Sequence, residues 1–364
     1  MSEGLLSTME AVLAADEAPR KRRSSSTAAM AKRLGLRLAT ADELKIKRRR
    51  AGTGFCYVAP EGFVIKDAEV LKRLSSLAVP PAYTDVFYAE DASAHLQAIG
   101  RDAAGRMQYR YHPEWEKVRE ARKAKRLERL VRSLPRIRRS IAQHLSGRAP
   151  TRELALASVI ELVARSSIRA GREVYAKERG TRGAATLLKS NVKLDGETIR
   201  LSFRAKGGKA VDKEISAPRL CAALEVLRQV PGRRLFQYVD AQGATHVVRA
   251  RDVNAFLREM AGASISLKDF RTLCASAAVL DALARTLPSN SERGRRKQVL
   301  EAVRAAAEEL HNTPTICRKS YVHETVVHAF EKGVLERFSA ALKSCRSPSR
   351  KEQFLAQVIA TASL

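Results

Sequence analysis

The pattern of apolar and polar positions changes twice along the chain. From about residue 36 to 112 it consists of short apolar runs separated by turn residues, which is typical of β-strands. "GFCYVAPEGFVI" (54–65) predicts one hairpin around Pro-Glu-Gly, and "HLQAIGRDAAGRMQYRYH" (95–112) predicts a second with "DAAG" as its turn. In the second hairpin, alternation places Met107, Tyr109 and Tyr111 on one face of its second strand.

From about residue 113 the periodicity becomes helical and stays so to the C-terminus. One interruption, "VKLDGETIRLSFRAKGGKAVDKEIS" (192–216), predicts strands joined by a tight turn at Asp195-Gly196 and a looser one at "AKGGK". These patterns predict an α+β protein of two lobes: a flexible basic tail (1–35), a β-rich domain (36–114) and a larger, mainly helical domain (115–364) with a small hairpin sheet.

The charge of the chain indicates the kind of partner that the protein binds. The 364 residues carry 67 Lys and Arg against 39 Asp and Glu, a formal net charge of +28. Such a field attracts polyanions, so nucleic acid is the expected partner and an anionic membrane surface the weaker alternative. Residues 116–139 alone hold eleven Lys or Arg and three Glu. We expect this basic helix to lie along phosphates; the alternative is a solvated surface helix.

Other classes of function find little support in the sequence. The apolar runs are shorter than the roughly 18 residues that span a bilayer, and the N-terminus lacks the charge order of a signal peptide. We expect a cytoplasmic, nucleoid-associated protein without membrane contact. Five cysteines without a CxxC spacing indicate reduced thiols. Because the chain has no phosphate-binding glycine loop and no zinc or magnesium pattern, we expect neither a metal nor a nucleotide cofactor.

One tyrosine stands in an unusual position. "NTPTICRKSY" ends at Tyr321, and Thr313-Pro314 is a good helix start with Gly333 as a plausible stop. In a single helix between these points Tyr321 would lie opposite the apolar stripe. This helical phase shifts the interpretation only modestly towards a nucleophile, because a lone tyrosine is far more often a packing aromatic. A phenol with a pKa of about 10 also needs cations around the phosphate that it attacks and an acid for the leaving group.

The context of Tyr321 resembles that of the type IB DNA topoisomerases, most closely the compact poxvirus-like form that also occurs in bacteria. The resemblance rests on separated blocks in the family's order. They are "VPPAYTDV" (79–86), "IGRDAAGRMQYRYH" (99–112), "IRAGREVYAKERGTRGAATLL" (168–188), "FRAKGGK" (203–209), "KDFRT" (268–272) and "NTPTICRKSY" (312–321).

The resemblance implies the tyrosine recombinase/topoisomerase IB catalytic fold and a role for each matched residue. Tyr321 would be the nucleophile that forms a 3′-phosphotyrosyl link. Arg169 and Arg271 would clamp the non-bridging oxygens, and Lys206 would be the general acid, with Lys209 as its competitor. Asn312 stands where viral and nuclear members have a histidine, and we expect it to act as a neutral hydrogen-bond donor.

The resemblance also implies a DNA-contacting arm and a mode of action. The matched residues of the arm are Arg106, Gln108, Tyr109 and Tyr111, while Met107 departs from the family's lysine. Outside the arm, Tyr175 matches a family tyrosine near the active site that would contact the DNA backbone. The implied activity is ATP- and metal-independent relaxation of supercoiled double-stranded DNA by a monomer that clamps the duplex.

Two other functions remain as alternatives. A tyrosine recombinase uses a similar set of residues, although its second arginine typically follows a histidine, as H-x-x-R, where this chain has "KDFR". A non-enzymatic, chromatin-like DNA binder would explain the charge equally well.

Overall fold

The computed structural model describes residues 27–345 and 347–361. By the clustering of its backbone contacts the chain divides into two units, with the boundary between Arg119 and Glu120. The predicted α+β class is confirmed: a small antiparallel sheet comes first, and a larger, mainly helical unit with small sheets follows. None of the helices in these ranges is both long and apolar enough to cross a membrane.

The first unit is built on a five-stranded antiparallel sheet with strand order β2-β1-β3-β4-β5. Its strands are β1 (Ile46–Ala51), β2 (Gly54–Val58), β3 (Thr84–Tyr88), β4 (Leu96–Arg101) and β5 (Met107–Tyr111), accompanied by the helices α1 (Thr27–Arg33) and α2 (Ala68–Ser76). The β4–β5 hairpin turns at residues 102–106, where the sequence predicts it.

The other predicted hairpin of this unit is only partly formed. Around Pro60-Glu61-Gly62 the chain makes a turn with a single bridge between Val58 and Val64. The main partner of β2 is β1, "IKRRRA". Because most residues of β1 are polar, the pattern of apolar positions does not predict this strand. Arg48 of β1 is nevertheless held in place, because its guanidinium donates to main-chain carbonyls of the segment 79–83.

The segment predicted to be a flexible tail lies outside the described residues as far as residue 26. Its remainder is packed: α1 places Met30 and Ala31 in an apolar cluster with Leu36, Trp115 and Val118. Burial of these side chains holds residues 27–33 in a helix, within the segment that the sequence predicts to be a flexible tail.

The second unit surrounds its core with helices. They are α3 (Trp115–His144, which begins in the first unit), α4 (Arg152–Ser166), α5 (Glu173–Glu178), α6 (Pro218–Arg228), α7 (Ala250–Ala261), α8 (Leu267–Ala284), α9 (Glu292–Glu309), α10 (Pro314–Ser320), α11 (Glu324–Glu331), α12 (Glu336–Ser344) and α13 (Pro348–Thr361). Helix α4 is buried along most of its length, from Leu154 to Ser166, so the other elements pack around it.

Two small sheets accompany these helices. The strands β6 (Val192–Asp195), β7 (Thr198–Arg204) and β8 (Ala210–Ser216) form an antiparallel meander, and β9 (Gln237–Val239) pairs with β10 (Thr245–Val247). The β6–β7 turn contains Asp195-Gly196, and the β7–β8 turn is the "AKGGK" segment, as the sequence predicts.

Helix α3 has two faces of opposite character. Its apolar face is buried in the core. On the other side lies a stripe of exposed arginines without an ion pair among the described residues: Arg122, Arg129, Arg136 and Arg139. Several other cations of α3 are paired, for example Arg119 with Glu116. The basic face is therefore partly neutralised by the protein and partly open to an anionic partner.

Candidate active site

The residues with predicted catalytic roles come from four separate segments of the second unit. Arg169 lies in the loop after α4, Lys206 in the β7–β8 turn and Arg271 in the first turns of α8. Asn312 and Tyr321 flank α10. The structure brings four of these five side chains into one connected cluster.

The loop that carries Arg169 is shaped by a close backbone approach. A Cβ on Gly183 would lie 2.5 Å from the carbonyl oxygen of Arg169, so only glycine fits there. Gly171, two residues after Arg169, has a φ of +85°. The Ala184 amide donates to the Arg169 carbonyl over 2.8 Å. These contacts fix the main chain from which the Arg169 side chain extends.

Arg271 is positioned by the start of α8. Ser266 is the N-cap, and its amide donates to the Asp269 carboxylate over 2.7 Å. Arg126 of α3 braces this turn by donating to Ser266 Oγ (2.7 Å) and Asp269 Oδ2 (2.8 Å). Arg271 itself is only 3% exposed, so the direction of its guanidinium is set by the surrounding protein.

The Arg271 guanidinium donates hydrogen bonds to two main-chain carbonyls. Its Nη1 donates to Ser167, and its Nη2 donates to Leu310 over 3.0 Å. The Nε is buried without a partner in the described residues. Because a guanidinium has five donors, hydrogens remain for an incoming anion.

Asn312 joins the two loops of the site. Its Oδ1 accepts a hydrogen bond from Arg169 Nη2. Since arginine has only donors, the amide oxygen must face Arg169 and the Nδ2 must point elsewhere. That Nδ2 is buried and has no partner among the described residues. The asparagine therefore presents an unused donor next to an arginine.

Tyr321 lies beside these groups, but not on the helix that the sequence predicts. Helix α10 ends at Ser320 and α11 begins at Glu324, with Tyr321 at the C-cap of α10. The expectation of one continuous helix from Thr313 to Gly333, with Tyr321 opposite its apolar stripe, is wrong. Tyr321 is only 8% exposed and belongs to the core cluster.

The break between the two helices is fixed by a buried serine of α8. Ser276 Oγ donates to the Tyr321 carbonyl over 3.0 Å and accepts from the His323 amide over 3.1 Å. Sequence reasoning did not find Ser276, because a single small polar residue in an apolar helix gives little signal.

The Tyr321 ring is flanked by two cations. The Arg271 Cζ lies 4.9 Å from the ring centroid and the Lys268 Nζ 5.7 Å from it. Burial alone would raise the pKa of the phenol, but the charges of Arg271, Arg169 and Lys268 outweigh it and hold the pKa of Tyr321 below its ordinary value. Lys268, three residues before Arg271 in "KDFR", was not among the predicted site residues.

Lys206 is the predicted residue that the structure leaves apart from the cluster. It is exposed at the tip of the β7–β8 turn, where a short 3-10 turn covers Lys206–Gly208. It makes no hydrogen bond or ion pair with Arg169, Arg271, Asn312 or Tyr321, all of which belong to the described residues.

The predicted DNA-contacting arm of the first unit has two kinds of side chain. Tyr109 and Tyr111 are 49% and 41% exposed and stack with a centroid distance of 6.2 Å. Arg106 and Gln108 both donate to Asp102, over 2.8 Å each. The arginine and the amide are thus oriented by a carboxylate, which the sequence did not indicate.

Tyr175 lies in the second unit, close in sequence to Arg169. It is half-buried in α5 beneath Arg179, whose Cζ lies 5.3 Å from the ring centroid. It lines an open pocket of about 750 Å³. The cationic residues of the pocket wall are Arg172, Lys177, Arg234, Arg249 and Arg251.

Comparison with known proteins identifies the class to which this fold and site belong. A family model described as the catalytic core of eukaryotic DNA topoisomerase I matches residues 112–347. A second, described as the N-terminal domain of bacterial DNA topoisomerase IB, matches residues 54–102. The DNA topoisomerase 1B of Acanthamoeba polyphaga mimivirus is 28% identical over 293 residues, which are 79% of this chain and 87% of the viral protein.

The chain therefore belongs to the type IB DNA topoisomerases. It is an isomerase that relaxes supercoiled DNA, and its first unit contains the N-terminal domain of the bacterial form. The predictions of family, enzyme class and DNA substrate are confirmed, and the recombinase and chromatin-like alternatives are set aside.

Proposed function

We propose that Tyr321 is the nucleophile of the relaxation reaction. The observation that carries this proposal is the cluster itself: a buried phenol flanked by Arg271 and Lys268, with the Arg169–Asn312 pair beside it. The lowered pKa of Tyr321 favours the phenolate, which is the attacking form.

In the proposed cleavage step the Tyr321 oxygen attacks the scissile phosphorus. A bond from this oxygen to phosphorus forms, and the bond from phosphorus to the 5′-oxygen of the next nucleotide breaks. The products are a 3′-phosphotyrosyl link and a 5′-hydroxyl strand. Religation reverses these steps, and one phosphodiester is exchanged for another of similar energy. Between the two steps, rotation about the intact strand releases supercoils.

The remaining residues stabilise the phosphate and the leaving group. Negative charge develops on the non-bridging oxygens, and we assign Arg169, Arg271 and the Nδ2 of Asn312 to these oxygens. Lys206 would give its proton to the leaving 5′-oxygen and recover it during religation. Because Lys206 lies on an exposed turn, it would approach the phosphate when DNA is bound.

DNA binding is assigned to both units. We propose that Tyr109 and Tyr111, together with Arg106 and Gln108, contact the duplex from the first unit, and that Tyr175 and its arginine-lined pocket contact the backbone from the second. The enzyme would act as a monomer that clamps double-stranded DNA and would be found with the nucleoid in the bacterial cytoplasm.

Relaxation of a supercoiled plasmid in EDTA without ATP tests the assignment of the nucleophile. The wild type should relax the plasmid, and Tyr321→Phe should bind it with similar affinity without relaxing it. Relaxation by Tyr321→Phe at the wild-type rate would reject Tyr321 as the nucleophile.

A further inference from the structure

A lysine occupies an inward-facing position of the hairpin that carries Lys206. In β8 the side chains of Val211, Lys213 and Ile215 share the face that packs on the core, while Asp212 and Glu214 are exposed. The Lys213 side chain is only 12% exposed. A lysine is rarely buried to this degree without specific partners.

The partners of Lys213 are the ends of two helices. Its Nζ donates to the Ser166 carbonyl over 2.9 Å, to the Glu309 carbonyl over 2.8 Å and to Glu309 Oε1 over 2.5 Å. Ser166 and Glu309 are the last residues of α4 and α9. Terminal carbonyls of a helix lack partners within it and form the negative end of its dipole, so a buried ammonium satisfies both ends at once.

Arg271 makes a similar connection between the same two segments, one residue further along each. It donates to Ser167 and Leu310, the residues that directly follow the two acceptors of Lys213. Two cations thus bridge the same pair of segments at successive positions. Arg169 follows Ser167 by two residues, and Asn312 follows Leu310 by two residues.

We propose that Lys213 is a positioning residue that holds the Lys206 hairpin against the loops that present Arg169 and Asn312. The inference rests on the catalytic roles proposed above. Lys213 itself does not contact DNA, because its three donors are all used within the protein. By holding these segments together, Lys213 would allow Lys206 to reach the 5′-oxygen of the phosphate that Arg169 and Asn312 bind.

The test compares Lys213→Met with Lys193→Met. Lys193 is exposed on β6 of the same sheet, so both variants lose one positive charge from one small sheet. The substrate is a DNA duplex with a cleavage site mapped on the wild-type enzyme. Two forms are used, one with the natural 5′-oxygen and one with sulfur in its place, since a thiolate leaves without a proton donor.

On the oxygen substrate, Lys213→Met should cleave about 10²-fold more slowly in a single turnover, because a displacement of about 1 Å can cost that much. Its dissociation constant for DNA should stay within about threefold of the wild type. On the sulfur substrate the defect should shrink to less than about tenfold. Lys193→Met should behave as the wild type on both substrates.

Three results would overturn the proposal: wild-type cleavage by Lys213→Met, a loss of DNA binding that accounts for its slower cleavage, or the same defect on both substrates. If Lys213→Met does not fold, the same cleavage measurements are made on Glu309→Ala, which lacks one acceptor of Lys213 Nζ. It should cleave the oxygen substrate about tenfold more slowly and be partly rescued by sulfur, and an unchanged rate would again overturn the proposal. If instead the wild type forms no covalent link through Tyr321, it is the proposed function that fails.

Discussion

At the scale of single residues, Asn312 is an amide at a position where the resemblance leads us to expect an imidazole. Its oxygen is used by Arg169, which fixes the direction of the amide and leaves the Nδ2 as a buried, unpartnered donor. Asn312 could be named as a candidate only through the resemblance of "NTPTICRKSY" to the family's tyrosine block. Its pairing with Arg169 could not be predicted, because the two residues are 143 positions apart.

Replacement of Asn312 should reduce cleavage without a similar loss of DNA binding. We expect Asn312→Ala to cleave about 10²-fold more slowly in a single turnover, the cost typical of removing one donor to a developing oxyanion. The rate is measured with enzyme in excess over a duplex substrate, and affinity is measured separately.

The neighbouring histidine provides the matched control. His311 has a φ of +49°, a conformation that asparagine tolerates well. His311→Asn should therefore cleave within about threefold of the wild type, since replacing a side chain outside the site leaves the oxyanion donors in place. Wild-type cleavage by Asn312→Ala, or an equal loss in both variants, would contradict the role of Asn312.

At the scale of elements, the break between α10 and α11 is the feature that local sequence could not predict. Apolar spacing continues through residues 313–333, but Ser276, on another helix, supplies the hydrogen bonds that replace helical ones at the break. The turns at Asp195-Gly196 and "AKGGK" were predictable, because their turn residues act locally. A contact between distant segments leaves no such local pattern.

A histidine within the break, His323, is expected to make the stability of the protein depend on pH. His323 is the N-cap of α11, where its Nδ1 accepts from the Thr325 amide. Burial, helped by the charge of Lys123, lowers the pKa of His323 from 6.5 to about 4. The unfolded chain therefore binds a proton that the folded chain does not, and stability falls as the pH drops from 6.5 to about 4.

Replacing His323 by asparagine should remove this acid sensitivity. Asparagine keeps a side-chain acceptor at the N-cap but does not titrate. The free energy of unfolding in urea should decline towards low pH less steeply in His323→Asn than in the wild type, by up to about 1.4 kcal/mol per pH unit. Identical pH dependence in the two proteins would show that His323 is not the group responsible.

At the scale of the whole molecule, charge and periodicity allowed more to be predicted than they did for the placement of single side chains. The α+β class and the order of its parts followed from the change of apolar period, and the DNA substrate agreed with the net charge of +28. The basic strand β1 was missed because its exposed arginines resemble a loop. The packing of α1 was missed because its partners include Trp115 and Val118, far along the chain.

The stripe of exposed arginines on α3 allows a test of whether the positive charge contacts DNA phosphates at a particular place. If Arg129 and Arg136 lie along phosphates, neutralising both should reduce the slope of log affinity against log salt by about 2, at about 0.9 per phosphate contact. The measurement is binding of Arg129→Gln/Arg136→Gln to a DNA duplex between about 50 and 200 mM NaCl. Lys332→Gln/Lys343→Gln, which removes the same charge from exposed positions, should keep the wild-type slope. Equal slopes in the two double variants would mean that net charge, not the stripe, sets the salt dependence.

The central claim is that the Tyr321 oxygen becomes linked to the 3′ end of the cleaved strand, and identification of the covalent adduct tests it most directly. The enzyme is denatured during relaxation of a plasmid, the DNA is digested, and the modified peptide is sequenced by mass spectrometry. We predict a nucleotide attached through a 3′-phosphate to Tyr321 in the wild type and no adduct in Tyr321→Phe. An adduct on another residue, or one joined to the 5′ end of the DNA, would contradict the account.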